Sequence, residues 1–168
     1  MTLAADLLDQ AAHLAAIERG RPKQASLRRA ISSAYYSVFH LIVEDASRYL
    51  VAGSRLRPVV ARSFEHQAVR AASEALGAVS RAPTGGHWFR AHVNDPISPD
   101  LVVICNTLVE LQELRHKADY DTGTSFARID ANGAAGMARH AHLLWPQQRN
   151  THNAHAFMLA SAKLLRAR

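Results

Sequence analysis

The feature that most constrains this chain is a helical hydrophobic period sustained from residue 23 to residue 51. Leu27, Ile31, Ala34, Tyr35, Val38, Ile42, Ala46 and Tyr49 recur mostly three or four apart, which puts them on one stripe of an α-helix. At about 1.5 Å per residue such a helix runs roughly 40 Å, the length of a rod that serves as the spine of a bundle. The same period appears before and after it. Residues 2–19 carry Leu3, Leu7, Ala11, Leu14 and Ala15 on one side, and Gly20 and Pro22 end the pattern.

After a break at Gly53–Pro58, the spacing predicts a helix over 58–80 with Val59, Val60, Phe64, Ala68, Ala71, Ala72 and Leu76 inward. Residues 81–98 lack any period and contain the Gly85-Gly86 pair, so they read as the main loop. Trp88, Phe89, Arg90, His87 and His92 within it suit either stacking on unpaired bases or an apolar plug. Ser98 and Pro99 then open a helix with Leu101, Ile104, Leu108 and Leu111 inward. Asp130 caps a further helix over 131–145 through Ala134, Met137, Ala138, Ala141, Leu144 and Trp145, which Pro146 interrupts. Residues 154–166 give a short final helix using Phe157, Leu159, Ala160, Leu164 and Leu165. Nothing alternates with period two. The expected fold is therefore all-α, an up-and-down bundle of about five main helices plus a short terminal one, in a single domain over 1–168 with 150–168 as an extension.

Composition narrows the setting. A chain of 168 residues, 48% hydrophobic and 20% charged, has the profile of one ordinary folded domain. No apolar run approaches the roughly 20 residues that span a bilayer, and the first residues carry acids where a secretory signal needs basic ones, so a cytoplasmic protein without a membrane partner is expected. The lone Cys105 lies among Val103, Ile104 and Leu108 and reads as a buried apolar residue. The net charge of +6 is uneven: residues 19–90 hold twelve Lys or Arg against four acids, a field that favours phosphate-bearing partners.

Two clusters carry candidate chemistry. Arg115 and Asp119 fall where the stripe of the 99–121 helix next turns inward, with His116 and Tyr120 stacked four apart beside them. Arg, His, Asp and Tyr within six residues can bind or cleave a phosphodiester, or can close a helix end. The long helix carries a second stripe, Arg29, Ser33, Tyr36 and His40, whose guanidinium, hydroxyl, phenol and imidazole project from one side. Phosphate-cradling and dinucleotide glycine motifs are absent, as are paired cysteines. His140 and His142 are two apart and cannot share a helix face, and His152 and His155 have no nearby carboxylate, so no metal and no cofactor is expected.

Arg29-Ala-Ile-Ser-Ser-Ala-Tyr-Tyr-Ser-Val-Phe-His40 and Arg115-His-Lys-Ala-Asp-Tyr120 together resemble the HEPN superfamily, above all its small stand-alone prokaryotic members. The resemblance follows element order from about residue 1 to residue 145. It implies an up-and-down bundle that dimerises with its motif helices at a shared cleft. It also implies RNA or nucleotide binding, and in many relatives a metal-independent ribonuclease that is a toxin or phage-defence component beside a nucleotidyltransferase-type antitoxin. Catalytic relatives place a His about one turn after the Arg. Here Arg115 matches the Arg, Asp119 and Tyr120 occupy the later positions, and His116 is adjacent. On that reading Arg115 neutralises the phosphorane, His116 or His40 exchanges the protons, Asp119 orients and Tyr120 completes the catalytic set, while Arg28, Arg29, Ser33 and Tyr36 hold nucleic acid or nucleotide. The other reading is a non-catalytic dimeric interaction module holding a partner protein or nucleotide.

Overall fold

The computed structural model describes residues 2–82 and 84–165. It is all-helical, with no strand among the described residues. In chain order the helices are α1 (Leu3–Ala16), α2 (Gln24–Leu50), α3 (Arg57–Ala61), α4 (His66–Arg81), a 3₁₀ turn (Trp88–His92), α5 (Pro99–Tyr120), α6 (Arg128–Gln148) and α7 (His152–Ser161). No helix among the described residues is long and apolar enough to cross a membrane. The chain divides into two compact units, the first made of Met1–Leu41 and Glu110–Leu143, the second of Ile42–Val109 and Leu144–Arg168.

In the first unit α2 is the common partner of α1, α5 and α6. Leu27, Ala30, Ile31, Ala34, Tyr35 and Val38 are buried along it, as the hydrophobic period requires. Polar groups then set the register. Ser33 Oγ donates to Gln10 Oε1 of α1 at 2.9 Å, and Gln24 exchanges hydrogen bonds with the main chain of Phe126 at 2.7 and 2.9 Å. Arg128 of α6 donates to the carbonyls of Glu18 and Gly20, closing the end of the α1–α2 connection.

The end of α5 is held by Arg28. An α-helix leaves its last four carbonyls without intrahelical donors, and a guanidinium can meet several at once while complementing the helix dipole. Arg28 Nη1 donates to Ala118 O at 2.8 Å, Nη2 donates to Asp121 O at 2.9 Å and to Thr124 O, and the group lies 5.4 Å from the Phe126 ring centre. Just beyond, Asp121 accepts from Gly123 N, Thr124 N and Thr124 Oγ1, fixing the turn into α6. These bonds, Thr124 Oγ1 first and then Gly123 N, hold the Asp121 carboxyl below its ordinary range.

In the second unit α4 packs on α7 and on the 3₁₀ turn. The expected helix over 58–80 is two helices. Phe64 and Glu65 break it, and Glu65 is extended (φ −103°, ψ 138°). The inner face of α4 is Val69, Ala72, Ser73, Leu76 and Val79, while Val59 is 61% exposed and Ala71 faces outward. A break resets the helical phase, so a stripe extrapolated through it points the wrong way. The 81–98 segment, apart from Pro83, which lies outside the described residues, turns Phe89 fully inward as a plug. Asn153 of α7 secures it, its amide oxygen accepting from Asn94 N and its amide nitrogen donating to Asn94 O, both at 2.8 Å.

Pro146 does not end α6, which continues to Gln148. Proline lacks the N–H that would reach His142, but its φ suits a helix, and Trp145 anchors the turn: its fully buried ring donates Nε1–H to Asp45 Oδ2 at 2.8 Å. α7 starts and stops earlier than expected. Lys163 takes the left-handed conformation (φ 59°), Lys163 N donates to Ala160 O and Leu164 N to Leu159 O, both at 2.9 Å, which is a Schellman stop. Leu164 is thereby exposed, and the expected last helical residue, Arg166, lies outside the described residues. Residues 150–165 belong to the second unit, where Phe157 and Met158 are buried.

Arg28→Ala removes the donors at the end of α5 and is expected to cost about 1–3 kcal/mol, whereas Arg29→Ala, on the exposed side of the same turn, stays within about 0.5 kcal/mol. Urea unfolding of the two variants beside the parent checks the contrast.

Candidate functional site

The expected cluster at the end of α5 exists, built by α2 and α5 within the first unit. Arg115 Nη2 donates to Tyr36 Oη at 2.8 Å. Arg115 Nε lies 2.7 Å from Asp119 Oδ2, an ion pair without the alignment of a hydrogen bond. Asp119 Oδ1 accepts from Ser32 Oγ at 2.6 Å. The guanidinium carbon sits 5.3 Å from the Tyr36 ring centre, 5.6 Å from that of Tyr120 and 5.9 Å from that of Tyr35, so three negative ring faces surround one cation.

The electrostatics follow from those contacts. With 15% of its side chain exposed, Arg115 pays for partial desolvation, which alone would lower its pKa. Tyr36, Asp119 and Tyr120 together outweigh that and raise it, so the group is a permanent cation. Burial pushes the Tyr35 phenol upward, with Arg115 opposing, and Tyr35 serves as a neutral wall. Asp119 offsets Arg115 in the less favourable helical order, cation before anion, which makes the pair a modest contributor to helix stability.

Tyr120 is 65% exposed, and the exposed His116 ring lies 5.1 Å from it. Tyr120 is thus no core anchor. Its ring and that of His116 make an open aromatic edge beside the guanidinium. His40 stacks on Tyr36 with ring centres 6.2 Å apart and planes at 26°, one turn along α2 from the phenol that holds Arg115.

The stripe Arg29, Ser33, Tyr36 and His40 does not act as one face. Ser33 is buried against α1, Arg29 is exposed, and Tyr36 and His40 alone keep to the Arg115 side. The face turned to α5 is Arg28, Ser32 and Tyr36, one residue earlier at its start. Ser32 is the participant that sequence reading missed. Its position four after Arg28 and four before Tyr36 is the signal that marks it. Arg28 belongs to this face, but its donors are engaged by the carbonyls that end α5.

Other candidate chemistry is quiet. Cys105 is fully buried, and burial pushes its thiol up to about 12 against a side-chain hydrogen bond with Ser73, so it is protonated at neutral pH. No three His, Cys, Asp or Glu side chains gather where they could hold a metal ion among the described residues. No family model, curated protein or solved structure matches the chain.

His142 of α6 is a half-buried polar group of the same unit. Burial lowers its pKa, a hydrogen bond with the Ser37 main chain opposes this, and its Nε2 has no hydrogen-bond partner among the described residues. Between the lowered folded pKa and the ordinary value of 6.5 the unfolded chain binds more protons than the folded one, so stability is present above 6.5 and is lost as pH falls toward the folded pKa. The urea midpoint is therefore expected to drop between pH 7.5 and 5.5, and His142→Gln to reduce that drop; an equal drop in both chains would show that His142 does not carry it.

Proposed function

We propose that this chain is a HEPN-like cytoplasmic protein that binds the phosphate of an RNA segment or nucleotide at the Arg115 cluster. The observation that carries this reading is a permanent guanidinium held by Tyr36 and Asp119 at the edge of an exposed Tyr120–His116 pair. A phosphate gains a charge-assisted hydrogen bond from Arg115, and an unpaired base gains a ring to stack on. The aromatic surroundings keep the cation partly dehydrated, which strengthens its attraction for an incoming anion. Asp119, itself held by Ser32, limits the net charge and orients the guanidinium. As a ribonuclease, the protein would use Arg115 on the phosphorane, with His116 and His40 as the groups that exchange protons with the 2′-hydroxyl and the leaving oxygen. A toxin or phage-defence role with a nucleotidyltransferase-type antitoxin is the setting that the resemblance to HEPN proteins suggests.

A second reading has its own support. The first unit contains nine basic residues against eight acidic ones, and it exposes Tyr120, Ile129 and Leu143 at 65%, 78% and 67%. A nearly balanced, partly apolar surface suits a homodimer contact in a non-catalytic interaction module as well as it suits RNA.

Labelled single-stranded RNA, incubated with the purified protein in chelator and beside an Arg115→Ala variant, tests both. Binding is expected to weaken about tenfold to a hundredfold in the variant, the loss of one charge-assisted bond of about 1.5–3 kcal/mol. Cleavage, if present, should vanish with it. Equal RNA binding by both chains, together with a dimeric mass that Tyr120→Ser reduces, would favour the interaction module.

A further inference from the structure

The second unit contains a cleft of about 410 Å³ lined by Asp45, Arg48, Tyr49, Arg149, His155 and their neighbours. Its walls are the last turns of α2, the residues that follow α6, and the first turn of α7. This unit is also the basic one, with eleven Lys or Arg against six acids. None of these residues takes part in the Arg115 cluster.

Two features of the cleft point to a ligand. The first is a flat aromatic platform: Tyr49 and His155 are stacked with ring centres 4.0 Å apart and planes at 16°. Tyr49 remains 46% exposed, which is unusual for an aromatic residue whose helical stripe is otherwise core. The second is a pair of guanidinium groups around one carboxylate. Asp45 is fixed by Trp145 Nε1–H at 2.8 Å and paired with Arg48 at 3.0 Å, while Arg149 reaches it only at 3.5 Å. Glu44 takes a second Arg48 nitrogen at 2.6 Å. Arg149 thus stands 45% exposed and loosely held, with a cationic head able to move to a stronger anion. The dipole at the N-terminus of α7 adds to the same preference.

We propose that this cleft binds a mononucleotide, the base stacked on the Tyr49–His155 pair and the phosphate held by Arg149 with Arg48. A dianionic phosphate competes with a single carboxylate for Arg149, and Asp45 stays behind as the anchor of Arg48 and Trp145. The volume lies within the range of small-ligand pockets. Neither feature alone selects this ligand class; a ring platform beside two guanidinium groups does.

Isothermal titration of the full chain with 5′-AMP, adenosine and inorganic phosphate tests the assignment, in the unsubstituted protein and in an Arg115→Ala background that removes the cation of the first cluster. The expected result is a saturable AMP site, one per chain in the Arg115→Ala background, that binds adenosine and phosphate each at least tenfold more weakly. Arg149→Gln and Tyr49→Ala, both at exposed positions, should each weaken AMP about tenfold with the helical circular dichroism unchanged. Absence of saturable heat, affinity unaltered by both substitutions, or phosphate or adenosine binding as tightly as AMP would each overturn it. AMP binding that disappears with Arg115→Ala and ignores Arg149→Gln would assign the nucleotide to the first cluster and also overturn this proposal.

Discussion

The face that α2 turns to the end of α5 is the constraint on which the first unit depends. Arg28 meets the terminal carbonyls, Ser32 meets Asp119, and Tyr36 meets Arg115, so three residues of one helix satisfy three successive polar groups of another. A helix end that is partly withdrawn from water needs such partners, because each unmet carbonyl or charge costs more than a met one returns. The same face of α2 that closes the end of α5 also positions the candidate side chains Arg115 and Asp119. Structural closure and candidate chemistry are thus one arrangement, in which Arg28 closes the helix and Arg115 is left at the aromatic edge.

Charge is distributed against the simplest expectation. The sequence is most basic over residues 19–90, which includes the Arg-rich start of α2, yet the unit that holds Arg115 is nearly balanced and the surplus lies in the other. Arg115 lies among ring faces and is partly dehydrated, whereas the two guanidinium groups of the Asp45 cleft belong to the unit with the basic surplus and lie beside the carboxylates of Glu44 and Asp45.

Much of the architecture was legible in the sequence. The buried stripe of α2 from Leu27 to Ala46, the Pro99 start of α5 and the inward Leu101, Ile104, Leu108 and Leu111 follow the hydrophobic period directly. The failures have common causes. Phe64 and Glu65 break the helical phase between α3 and α4, so Val59 and Ala71 face outward where an unbroken period points them inward. Pro146 forfeits one helical hydrogen bond and marks a stop in the sequence, but a buried tryptophan bonded to Asp45 holds the turn regardless. Tyr49 kept the spacing of a core residue and still lies at the surface, because the stripe reaches the end of its helix at an open cleft.

At the Arg115 cluster, sequence alone determined that Arg115 neighbours Asp119 and His116 neighbours Tyr120, since residues four apart on a helix lie about 40° from each other. It also set Tyr36 and His40 a turn apart. Only tertiary structure decided which side of α2 faces them, selecting Arg28 and Ser32 over Arg29 and Ser33. The physical reason is that a helix period defines stripes but not the angle at which one helix meets another, and the bonds that settle that angle join residues 79 to 96 positions apart.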